Sequence, residues 1–115
     1  MNIQHVKKSA TEPSLESWGD VECPLSALAC QLRGITKIIP ELAATGTGIW
    51  ECTPGRFRRQ IVPGEVTHTL SGRCAFIPDE GPSLAIEAGD TLFFSPNTLG
   101  IWDIQETVRK VYVLL

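Results

Sequence analysis

The chain has 115 residues, enough for one domain with a real core and too few for two. Its composition is 43% hydrophobic and 20% charged, ordinary for a globular chain, and a formal charge of −3 gives no basic footprint for nucleic acid. No apolar run is long enough to span a membrane, and "MNIQHVKKSATEPSLES" lacks the apolar centre of a secretory signal, so a cytoplasmic location is expected.

Residues 1–20 are polar and read as an arm or loop. "VECPLSALACQLRG" follows, with scattered apolar residues that suit a short helical turn or an edge strand. The character changes near residue 34, which divides the chain into an N-terminal extension, 1–33, and a domain, 34–115. From there the sequence predicts strands in close succession. "ITKII" stops at Pro40, "GTGIWEC" at Pro54-Gly55, "RFRRQIV" at Pro63-Gly64, "EVTHTLSG" at Gly72 and "RCAFI" at "PDEGP". "SLAIEAG", "DTLFFS" and "RKVYVLL" complete the series. Short β-branched and aromatic runs, broken about every eight to twelve residues by Gly, Pro, Asn or Asp, signal a sandwich or barrel. Closure removes exposed edges, so a closed or nearly closed all-β barrel is the expected architecture.

Cys23, Cys30, Cys52 and Cys74 form no close pair of the kind that zinc or redox motifs use, and are expected to pack indoors as small apolar side chains.

Two stretches resemble a known family. "GEVTHTLSGR" resembles the first motif of the cupin superfamily, and "AGDTLFFSPNTLGIW" the second. Together with "GIWECTPGRF" and "VRKVYVLL", they are similar to small single-domain cupins of the group named for the ureidoglycine aminohydrolase cupin domain. The resemblance covers roughly residues 46 to 115 and implies an antiparallel jelly roll with an internal pocket. It also implies where a metal would be held: by two His and a Glu in the first motif and a third His in the second. The Glu is Glu65, but the His positions fall on Ile61 and Arg59, or on Gln60 and Arg58 with a longer loop, and the last falls on Gly100. A lone carboxylate does not make a transition-metal site, so neither metal nor cofactor is expected.

Strand alternation assigns the remaining candidates. If Glu65 faces the barrel interior, Thr67 and Thr69 do too, while Val66, His68 and Leu70 face outward, and His68 is not a ligand. Glu65 is then an acid/base or ligand-anchoring group, or one half of a structural ion pair. Trp50 and Trp102 offer rings and N–H groups to a planar polar ligand, though a strand Trp more often serves the core. Lys110 shares a face with Val108 and Tyr112, and is expected to pair with Glu65 or Asp103 or to snorkel. Arg58 is placed with these residues, while the cluster Arg56, Arg58 and Arg59 also suits a solvated rim.

The predicted pocket is therefore Trp50, Arg58, Glu65, Thr67, Trp102 and Lys110. The expected function is metal-free binding of a small polar molecule in the barrel. The alternatives are a metal-independent aminohydrolase or isomerase with Glu65 as acid/base, and a structural or regulatory dimer with a filled interior. A homodimer is expected, with the N-terminal arm lying across the mate.

Overall fold

A computed structural model describes residues 3–42 and 46–115. Its strands are β1 Glu16–Asp20, β2 Gln31–Lys37, β3 Gly46–Cys52, β4 Gly55–Ile61, β5 Glu65–Pro78, β6 Leu84–Glu87, β7 Thr91–Phe94 and β8 Thr98–Leu114. One 3-10 turn, Ser9–Thr11, precedes them. Every ladder is antiparallel. The fold is all-β, as the turn residues and short strand runs predict, and it is the antiparallel jelly roll that the family resemblance implies.

Two long strands organise it. β5 and β8 pair along most of their length, and each belongs to two sheets. The C-terminal half of β8 carries β3, then β2 and β1, while the N-terminal half of β5 carries β7; these strands form the larger sheet. The N-terminal half of β8 carries β4, and the C-terminal half of β5 carries β6, forming the smaller one. Where the strands pass between sheets, the β5–β8 register shifts repeatedly between Thr69 and Cys74. Bulges of this kind turn a strand through a corner. Gly72 sits there with φ +88°, and a Cβ on it would collide with the Thr107 carbonyl oxygen. The sequence reading ends a strand at Gly72, whereas the glycine instead bends one continuous strand. Likewise the predicted "RKVYVLL" is only the end of a longer strand, β8, which begins at Thr98.

The N-terminal residues are less separate than their composition predicts. The shift at 33/34 falls inside β2, and residues read as an arm form β1, paired on β2. Arg109, on the outer face of β8, fastens what precedes β1. Its Nε donates to Glu51 Oε2 at 2.9 Å, and its Nη1 donates to the carbonyls of Ser9 at 3.0 Å and Glu12 at 2.9 Å. The arm thus lies across its own sheet.

The core between the sheets holds Phe57, Ile61, Phe76, Ile86, Ile104 and Val108. Cys30, Cys52 and Cys74 are buried in it, but Cys23 is exposed, which corrects the expectation for that residue. Cys23 lies in the turn after β1 with φ 52°, where no sheet covers it. No helix among the described residues is long and apolar enough to cross a membrane.

Candidate functional site

The inner face of the larger sheet is a set of cross-strand rungs. Trp50, Lys110 and Thr69 lie side by side on β3, β8 and β5; Gly48, Tyr112 and Thr67 form the next rung, and Gly46, Leu114 and Glu65 the third. The smaller sheet opposes them with a rung of Phe57, Trp102 and Phe76. Between these faces opens a cavity of about 680 Å³, bordered among others by Trp50, Trp102, Glu65, Lys110, Tyr112 and Arg59. Trp18 of β1 also borders it, so all three tryptophans of the chain look onto one space.

Lys110 is the chemical centre of this wall. Its Nζ lies 4.4 Å from the centre of the Trp50 ring, 4.8 Å from that of Trp102 and 3.9 Å from Glu65 Oε2. Both members of the ion pair have less than a tenth of their side-chain surface exposed. At 3.9 Å the pair attracts without hydrogen bonding, so both heads stay available to a third group. Burial pushes the Lys110 ammonium below the usual lysine range, and the Glu65 carboxylate opposes that shift. The ring faces of Trp50 and Trp102 add cation–π attraction to the charged form.

The other predicted residues divide. Trp102 serves both readings: it is 4% exposed, packs edge-on against Phe76 with centroids 4.9 Å apart, and still forms cavity wall. Thr67 faces the interior but does not line the cavity, and its buried hydroxyl has no hydrogen-bond partner among the described residues. Arg58 reaches the rim, yet its guanidinium is tied at the surface to Asp79. Its neighbour Arg59 shares the face of the buried Phe57 and Ile61 and is the inward cation of β4. His68 points outward, its Nδ1 2.8 Å from the Thr91 hydroxyl oxygen. Asp103 makes no pair with Lys110: it lies opposite Arg56 and Ala75 on the alternate face of β8 from Trp102.

Sequence reasoning missed Trp18, Arg59 and Tyr112. Alternation from Phe57 or from Lys110 finds the last two, but Trp18 lies in a polar stretch with no strand pattern to reveal it.

The residues do not fit a metal. Glu65 is the sole donor at the motif positions, and Ile61 is buried in the core. A side chain at Gly100 would meet the Phe76 ring and the Ile77 carbonyl oxygen, each 2.6 Å from its Cβ, so Phe76 fills that corner instead. Among the described residues, no group of three His, Cys, Asp or Glu converges.

Comparison with known proteins agrees with the fold. The family model for the EutQ-like cupin domain matches residues 41–112. The chain is similar to the EutQ protein of Clostridium difficile, with 17% identity, TM-score 0.65, and coverage of 74% of this chain and 68% of that one. A DUF861 family protein of unknown function from Pseudomonas syringae pv. tomato gives 23% identity and TM-score 0.77 over 88% of this chain; the chain spans 44% of that protein. A DUF861 family protein from Thermotoga maritima gives 30% identity and TM-score 0.57, over 58% of this chain and 76% of that one. No curated protein matches the sequence.

Proposed function

The chain belongs to the EutQ-like cupin domain family, and from that premise we propose that it binds a small polar molecule inside its barrel through protein groups alone. The observation that carries this reading is the unfilled cavity of about 680 Å³ with a buried Lys110–Glu65 pair on its wall. A barrel serving only as scaffold fills its interior with apolar side chains, and a buried ion pair contributes little net stability beside a well-packed apolar alternative. Here the pair borders open space between aromatic walls, where it supplies one cation and one acceptor to a ligand. Similarity to the ureidoglycine aminohydrolase cupins adds planar, nitrogen-rich ureides to the compounds worth testing. A second reading, a metal-independent enzyme, is favoured by one specific observation: buried Glu65 and Lys110 face each other across 3.9 Å, a gap that a water or a substrate group can bridge for proton transfer.

The chain is further proposed to act as a cytoplasmic homodimer. Phe93, 80% exposed on β7 opposite Val66, offers the outer face of the larger sheet one aromatic anchor for a twofold mate.

The site reading is tested by tryptophan fluorescence, since every tryptophan borders the cavity. Titration with a panel of ureides, amino acids and oxo acids should give a saturable change with at least one compound, lost in Lys110→Met. A panel that leaves emission and melting temperature unchanged, in protein stripped by refolding, contradicts it.

A further inference from the structure

Lys110 is one of four lysines, and the other three are Lys7 and Lys8 on the arm and Lys37 at the end of β2. It alone lines the barrel cavity, 7% exposed, with a carboxylate close by but beyond hydrogen-bonding distance. A lysine amine becomes a nucleophile toward carbonyl carbon when desolvation and neighbouring cations favour its neutral form. Imine formation also needs a proton acceptor and donor beside the amine, and enough open space for the carbonyl compound. The cavity wall supplies all three.

Resting on the reading of the cavity as a ligand site, we infer that Lys110 captures a small aldehyde or ketone as an imine, with Glu65 moving the protons. The neutral amine adds to the carbonyl carbon, forming the C–N bond as the π electrons pass to oxygen. That oxygen takes a proton and the nitrogen loses one, giving a carbinolamine. A second proton, delivered by the protonated Glu65 carboxyl, lets the C–O bond break and water leave while the nitrogen lone pair closes the C=N bond, and the resulting iminium gives its remaining N–H proton back to the carboxylate. The net change is amine plus carbonyl to imine plus water, with no oxidant or reductant. Glu65 is placed to accept the proton that nitrogen loses and return it to the departing oxygen. Trp50 and Trp102, paired with ring centroids 6.3 Å apart, both lie close to Nζ and border the cavity, where they would form one apolar wall against the carbonyl compound's substituents.

The groups facing the amine come from every strand around it. Glu65 and Cys74 lie on β5, Cys52 on β3 and Arg59 on β4; burial is the largest influence and lowers the ammonium's pKa, Arg59 acts in the same direction, and Glu65 opposes them. The neutral form that addition requires is therefore more populated at Lys110 than at a solvated lysine.

The test treats the full chain at pH 7.5 with pyruvate or butanal and cyanoborohydride, which reduces an imine to a stable secondary amine, and maps the modified lysines by mass spectrometry. Lys110 should be labelled by at least one probe at least tenfold faster than Lys7, Lys8 or Lys37, and Glu65→Gln should slow that labelling by about tenfold or more. Labelling of Lys110 by neither probe ahead of the surface lysines overturns the inference, and the wild-type map decides this even if Glu65→Gln does not fold. An unlabelled Lys110 in a protein whose fluorescence still reports saturable binding removes the imine and leaves the binding reading standing. Silence in both removes both.

Discussion

Glu65 and Lys110 are not cross-strand partners, yet their charged heads meet. Lys110 stands opposite Thr69 and Glu65 opposite Leu114, and the long lysine side chain spans the offset to bring Nζ to 3.9 Å from the carboxylate. Removing one member of a buried pair leaves an uncompensated charge, which typically costs about 3–5 kcal/mol. Lys110→Met should therefore destabilise the protein by roughly that amount, less whatever water in the cavity recovers. Glu65→Gln keeps the shape, removes the partner charge, and should restore part of the loss in the double variant. Urea unfolding of the four proteins measures the coupling; strictly additive changes would show that the two heads do not interact.

The same burial predicts a pH dependence. The folded pKa of Lys110 lies below its ordinary value of 10.5, so between the two the unfolded chain holds a proton that the folded one lacks. Stability rises with pH wherever the unfolded state binds more protons. Wild type should thus gain stability relative to Lys110→Met as pH is raised from 7 towards 10. Cys52 and Cys74, which also face the ammonium, are common to both proteins, so most of their own titration cancels in the difference. Melting temperatures across that range should show the gap shifting in favour of wild type; a flat or opposite trend contradicts it.

Thiol chemistry should separate the four cysteines. Burial raises Cys30 and Cys52, and pushes Cys74 up to about 11, so these three stay protonated and shielded at neutral pH. Cys23 is exposed. Titration of the native protein with an aromatic disulfide reagent should release one equivalent quickly and the rest only in denaturant. Rapid reaction of a second thiol would mean the core opens there.

Much of the architecture could be read from residues alone. β3 occupies the predicted Gly46–Cys52 because Pro54-Gly55 ends it and its β-branched and aromatic residues suit a strand. Glu65, Thr67 and Thr69 are buried and His68 exposed because period-two alternation holds unbroken to Thr69. Beyond that point local pattern fails. The bulges around Gly72 shift the register, and a glycine that bends a strand reads the same in sequence as one that ends it. Arg59 borders the cavity together with the predicted Arg58, and alternation from Phe57 and Ile61 along β4 leads to it. Trp18 was beyond reach, since β1 is an edge strand of polar residues stabilised by pairing with β2.

The arm's attachment gives another contrast. Arg109 is nearly buried and bridges Glu51 and two arm carbonyls, so Arg109→Ala should cost about 3 kcal/mol and expose the arm to protease. Arg73 pairs with Glu106 at 3.4 Å with both side chains more than half exposed, and Arg73→Ala should cost under about 1 kcal/mol. Equal effects in chemical denaturation would show that the Arg109 cluster is not a structural clamp.

The central claim is that the barrel interior holds a small molecule with protein groups alone. A high-resolution crystal structure of protein expressed and purified without added metal tests it most directly. The account predicts an open cavity with discrete density beside the Trp50–Trp102 pair, within hydrogen-bonding distance of Lys110 or Glu65. An interior closed by side chains, or a metal ion coordinated at Glu65, would contradict it.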